Sequence, residues 1–116
     1  MTLIARQLEA LRGRVAWLTG GRRIGRTVAA ALAGLGVDLV LSYRFSRDEA
    51  EATAQSARDA GVRAVTVQAD ASSRESVAAA VEKVAREFPR IHILVNMASV
   101  YRETAAEQVT EADWDE

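Results

Sequence analysis

Cysteine is absent from the 116 residues, which removes disulfides, thiolate nucleophiles and zinc–thiolate sites. The single histidine, His92, excludes a histidine-rich metal site. Proline occurs once, at Pro89; with no low-complexity run beside it, the composition is not that of a disordered chain. Of 15 Lys and Arg residues only Lys83 is lysine, and 16 Asp and Glu leave a net charge of −1. No basic excess points to nucleic acid or to an anionic membrane. No apolar run approaches the ~18 residues of a membrane span. The segment before Val15 mixes Arg and Glu with single apolar residues, unlike a signal peptide, so a cytoplasmic location is expected. What remains is an ordinary globular composition, 49% hydrophobic and 27% charged. At this length a single domain, residues 1–116, is expected.

Two periods alternate along the chain. Val15-Ala16-Trp17-Leu18 is a short apolar run that enters Thr19-Gly20-Gly21, a buried strand ending in a turn. Ile24, Val28, Ala31, Leu32 and Leu35 form a helical stripe, with Gly34 and Gly36 at its end. Residues 37–41 read as a second strand. Ser46 to Ala60 reads as a helix, with Ser46 and Glu49 spaced as a capping box and Gly61 as the stop. Residues 62–69 alternate as a third strand. Ser73 to Phe88 places Val77, Val81, Val84 and Phe88 on one helix face, before Pro89. Residues 91–95 read as a fourth strand with His92 inside it. Thr110 to Trp114 has the caps and acids of a helix start. Strands alternating with helices of this length predict a parallel sheet with right-handed crossovers.

The glycine-rich turn Thr19-Gly20-Gly21-Arg22-Arg23-Ile24-Gly25 follows a strand and opens a helix. Dinucleotide-binding folds hold the pyrophosphate in this setting. Glycine lets the backbone approach the phosphates, and helix N–H groups and the helix dipole favour negative charge. An acid holding the ribose 2′-OH is common at the end of the second strand. Here that place carries Arg44, Ser46 and Arg47, toward which Arg22 and Arg23 can converge. Guanidinium and hydroxyl groups suit a 2′-phosphate, whereas a carboxylate repels it, so NADP is favoured over NAD. Without a ligand, the same arginines read as a solvated surface cluster.

These pieces together resemble the short-chain dehydrogenases/reductases. Residues 11–16 are similar to the family's lead-in to its first strand. The turn Thr19 to Gly25, with Arg23 before Ile24-Gly25, resembles pteridine-reductase-like members, which typically use NADPH. Asp70-Ala71-Ser72 resembles the adenine-binding Asp segment, Ile91 to Ser99 the "Leu-Val-Asn-Asn-Ala-Gly" stretch, and residues 110–114 the next helix opening. Two positions depart from the pattern. The turn is one residue shorter between its first and last glycine, and Met97 stands where a second Asn is usual.

The resemblance implies a Rossmann-like three-layer α/β/α fold, with a partial parallel sheet of four strands in order 3-2-1-4 and three crossover helices. It places Gly20, Arg23, Ile24 and Gly25 along the pyrophosphate and ribose, and Arg44 and Ser46 at the 2′-phosphate. Asp70 and Ala71 would bracket adenine, while Asn96, Ala98 and Ser99 would lie on the nicotinamide side. Read by themselves, Asp70 is a turn or cap residue and Asn96 a tie between strands. The family's catalytic Ser, Tyr and Lys have no counterpart here: Tyr101 is followed four residues on by Ala105, and Tyr43 by Arg47. The expected role is therefore the NADP-binding part of a carbonyl–alcohol oxidoreductase, inactive alone, partnered by a complementing carboxyl-terminal half or by a second copy. A non-catalytic dinucleotide-binding module and a ligand-free, self-associating remnant are the alternatives.

Overall fold

The computed structural model describes residues 2–20 and 22–97. Four strands, β1 (Val15–Gly20), β2 (Asp38–Tyr43), β3 (Ala64–Gln68) and β4 (Ile93–Met97), alternate with helices α2 (Arg22–Gly34), α3 (Arg47–Asp59) and α4 (Arg74–Glu87). A further helix, α1 (Leu3–Glu9), precedes β1. The sheet is parallel, in the order β3-β2-β1-β4. This is the three-layer fold expected from the sequence, with one helix more. No helix among the described residues is long and apolar enough to cross a membrane.

The period of two along each strand divides the core. Ala16, Leu18, Leu39 and Leu41 point to the side covered by α2 and α3, where they meet Ala29, Ala33, Ala54 and Ala57. Val15, Val40 and Val67 point to the other side, against Ala80 and Val84 of α4 and Phe88 at its C-cap. Both faces of the central strands are therefore apolar, as parallel sheets require. Alanines on the helix faces let the helices approach the sheet closely. The polar exception, Ser42, is buried. Its hydroxyl accepts from Trp17 Nε1 at 3.0 Å and donates to the Leu18 carbonyl oxygen at 3.4 Å, so β1 and β2 satisfy it between them.

Several local expectations change. Helix α1 is unanticipated; Thr2 caps it, accepting from the Ala5 N–H at 3.1 Å, and none of its residues is buried. Local capping supports it without an apolar stripe. Ser46 is the N-cap of α3, but its hydroxyl makes no capping bond, so the capping box is not formed. Its ψ of 58° departs from the extended value of 116° at Ser73, whose hydroxyl does accept from the Ser76 N–H. Ile24 is 69% exposed and Ala31 is exposed, the sheet-facing positions being Ala29 and Ala33. Of the two glycines expected at the helix end, Gly34 stays helical and only Gly36 takes a positive φ. On α4 the line Ala80–Val84–Phe88, spaced by four, meets the sheet, leaving Val77 and Val81 exposed. β4 begins at Ile93, so His92 precedes it. The histidine's Nδ1 accepts from the Val15 N–H at 3.0 Å, placing the ring proton on Nε2. The expected helix at 110–114 lies outside the described residues.

Glu51 joins α3 to β3. One carboxylate oxygen accepts from Arg58 Nη1 at 2.9 Å, the other from the Thr66 hydroxyl at 2.9 Å. Arg58, then Thr66, holds this carboxyl below its ordinary range. A carboxyl with a depressed folded value stabilises the fold above its unfolded value and loses that effect as pH falls through the folded value. Glu51→Gln is therefore expected to melt below the parent at pH 7. The gap should close as pH falls through the acidic range from the ordinary carboxylate value, which thermal melts from pH 7 to pH 3 would measure. A gap that does not shrink between pH 7 and pH 3 contradicts the assignment.

Close approach at Gly25 gives a second expectation. A Cβ there would meet the Gly20 carbonyl oxygen at 3.0 Å and Met97 Cε at 3.6 Å, whereas one at Gly34 meets nothing within 4 Å. Gly25→Val should destabilise by about 1–3 kcal/mol through overpacking, read as a lowered Tm. Gly34→Ala should gain about 0.5 kcal/mol. Equal effects of the two would overturn this account of the turn.

Candidate functional site

All four strands run the same way, and their registers level their carboxyl ends. Thr19 lies opposite Ser42 on one side and Asn96 on the other, and Tyr43 lies opposite Gln68. Gly20, Tyr43, Gln68 and Met97 thus end on one edge of the sheet. The chain crosses from β3 to β4 over the far side of β1, making a switch point between β1 and β4 at that edge. Ligands of open parallel sheets bind outside the carboxyl ends at such points.

The glycine turn occupies the middle of this edge. Gly20 has φ +69°, a value that favours glycine, and α2 begins two residues later. The first turn of α2 carries no acidic residue. Instead its first two positions are Arg22 and Arg23, whose side chains lie outside the described set. Cations at a helix N-terminus oppose the helix dipole, and an anion there would offset both. Exposed Ile24 stands beside them, and Gly25 is buried against Gly20 and Met97. Met97 therefore has a packing role, its thioether filling space beside the turn.

On the β4 side, the Thr19 hydroxyl donates to Asn96 Oδ1 at 2.7 Å and accepts from the Met97 N–H at 3.2 Å. Asn96 thus ties β4 to β1 at the edge. Ala98 and Ser99 lie outside the described residues.

On the β2–β3 side a cleft of about 290 Å³ is lined by Arg44, Phe45, Gln68, Asp70 and Ser76. Arg44 and Asp70 are the two residues expected at the 2′-phosphate and the adenine, and the structure brings them together. An Arg44 nitrogen lies 3.5 Å from Asp70 Oδ2, and the guanidinium sits 4.8 Å from the Phe45 ring centroid. Asp70 also acts as a turn residue: its Oδ1 accepts from the Ser72 hydroxyl at 2.6 Å and the Ser72 N–H at 3.0 Å. These Ser72 bonds, and to a smaller extent Arg44, hold its carboxyl below the ordinary range. The Asp70 N–H donates to the Ser76 hydroxyl at 2.8 Å. Ala71 is exposed in the same turn, and half-buried Ser46 follows Phe45. Phe45, Gln68 and Ser76 were not anticipated. Gln68 and Ser76 carry no sequence signal of their own; the 80% exposure of Phe45 could have been suspected from its place between Arg44 and a helix cap. No cluster of groups able to hold a metal occurs among the described residues.

The sequence profile of a family described as short chain dehydrogenase matches residues 14–116. An uncharacterized oxidoreductase of Methylorubrum extorquens is 38% identical over 105 residues, covering 90% of this chain and 42% of that protein. A short-chain dehydrogenase from Burkholderia cenocepacia, solved in complex with NADP, superposes with a TM-score of 0.77 at 37% identity, covering 90% of this chain and 43% of its own. A short-chain dehydrogenase/reductase from Serratia marcescens gives 0.78 at 33% identity, with coverages of 90% and 43%. The chain spans less than half the length of these proteins. The profile match across nearly all the sequence, on this strand order and glycine turn, makes the chain a member of the short-chain dehydrogenase family.

Proposed function

We propose that this chain is the NADP-binding part of an oxidoreductase that moves a hydride between nicotinamide and a carbonyl or alcohol carbon. The observation that carries the reading is the convergence, on one sheet edge, of a side-chain-free turn at Gly20 and Gly25 with a cleft flanked by Arg44. A dinucleotide has a doubly charged pyrophosphate and, in NADP, a third phosphate on the adenosine ribose. The turn and the N-terminus of α2, with Arg22, Arg23 and Ile24, suit the first. Arg44 and Ser46, whose hydroxyl makes no capping bond, suit the second. Asp70 and Ala71 stand by the cleft where adenine would lie, and Asn96 within β4, with Ala98 and Ser99 next in sequence, is assigned to the nicotinamide side. The cofactor, when bound, supplies the hydride; these residues bind and orient it. The NADP in the Burkholderia cenocepacia protein supports the choice of cofactor.

Neither Tyr43 nor Tyr101 has a lysine four residues on to lower its pKa for proton transfer, so no turnover is expected from these 116 residues alone. Calorimetric titration tests the reading directly. NADPH should bind with a Kd on the order of micromolar. Arg44→Ala should weaken NADPH about tenfold, the worth of a charge-assisted hydrogen bond, and leave NADH within about twofold. Absence of nucleotide binding, or equal weakening of both nucleotides, would overturn the assignment.

Self-association belongs to the same proposal. Val77, Val81 and Leu94 present exposed apolar side chains, Leu94 at 68% exposure, and among the described residues β4 pairs only with β1. Light scattering at ~100 µM, a concentration at which exposed strand edges tend to associate, is expected to show a dimer or larger species. A monomer would contradict it.

A further inference from the structure

Asp70 uses its two carboxylate oxygens differently. Oδ1 accepts both bonds from Ser72, while Oδ2 faces Arg44 at 3.5 Å. The foot of Arg44 is fixed, because Gln68 Nε2 donates to the Arg44 carbonyl oxygen at 3.2 Å. Its charged end lies over the Phe45 ring. The guanidinium is thus tethered beside the cleft, with its charge already met by a carboxylate.

We propose that Asp70 sets the strength of 2′-phosphate selection through Arg44, by holding the guanidinium that the phosphate must recruit. The inference rests on the NADP reading above and adds a specificity-determining role to a residue otherwise assigned to adenine. A ribose bearing a 2′-OH offers no anion, so it leaves the ion pair intact. A 2′-phosphate carries up to two negative charges near neutral pH and draws the guanidinium from a single carboxylate oxygen. The pair is solvent-exposed, so the competition is modest, about two- to fivefold in affinity. An arginine engaged in this way discriminates between the two nucleotides less sharply than one that faces only phosphate.

Asp70→Asn separates the two oxygens. Asn keeps an oxygen for Ser72 and replaces the charged oxygen facing Arg44 with a neutral amide. The probes are 2′,5′-ADP and 5′-AMP, titrated calorimetrically into the 116-residue chain. They differ only in the 2′-phosphate, so any change in adenine contacts cancels in the ratio of their Kd values. Asp70→Asn should raise the preference for 2′,5′-ADP about two- to fivefold. In an Arg44→Ala background it should leave the ratio unchanged. Asp70→Ser, too short to reach Arg44, should reproduce the shift, and thermal melts verify that each variant folds. An unchanged or lowered ratio with Arg44 present overturns the proposal. An equal rise without Arg44 also overturns it, since direct repulsion by Asp70 would then be the cause. If the parent chain binds neither probe, or both equally, the NADP assignment itself fails.

Discussion

Helix α2 can start two residues after β1 because no side chain separates Gly20 from Gly25. The Gly20 carbonyl oxygen lies where it would stand only 3.0 Å from a Cβ on Gly25. The first turn of the helix is therefore laid over the end of the strand, and its first N–H groups, which have no acceptor within the helix, lie at the carboxyl edge of the sheet. Everything else at that edge follows this placement. Met97, at the end of β4, reaches the same glycine with its methyl carbon. Thr19, one residue before the turn, fastens β4 through Asn96 and the Met97 N–H. A bulkier residue at position 25 would disturb the helix, the turn and the outer strand together.

The same packing logic explains which features were legible in the sequence. The four strands were, because fully apolar runs flanked by helical stripes leave little choice but a covered parallel sheet. The placing of Arg44 and Asp70 at one edge was legible, because Arg44 directly follows β2, Asp70 comes two residues after β3, and the topology brings both strand ends there. Helix α1 was not, since its Thr2 cap supports it without burying a residue. The stripe on α2 was misjudged at Ile24. Apolar spacing counts that residue with the core, yet it sits in the first turn of the helix and is 69% exposed. Ser46 and Glu49 have the spacing of a capping box, but ψ at Ser46 decides whether the hydroxyl can turn inward, and spacing carries no information about ψ. Gln68 and Ser76 are ordinary polar residues until the register sets Gln68 opposite Tyr43 and the turn after β3 brings Ser76 to the Asp70 N–H. Their roles are properties of tertiary placement.

The electrostatics of the edge depend on that placement more than on the net charge of −1. Overall charge is nearly balanced, yet cations gather at two places: the first turn of α2 and the end of β2. At the first, Arg22 and Arg23 hold the opening positions of α2. At the second, Arg44 has a carboxylate within 3.5 Å, and the surrounding groups are exposed enough for water to screen the pair. Arginine suits both places better than lysine, because its planar fork can meet a phosphate through two bonds and can rest on the Phe45 ring while it waits. A buried Arg44–Asp70 pair would be too firmly held for a phosphate to compete with. The exposed, single-oxygen contact is weak enough for the exchange of anions proposed above, and Gln68 bonds the Arg44 backbone carbonyl at 3.2 Å.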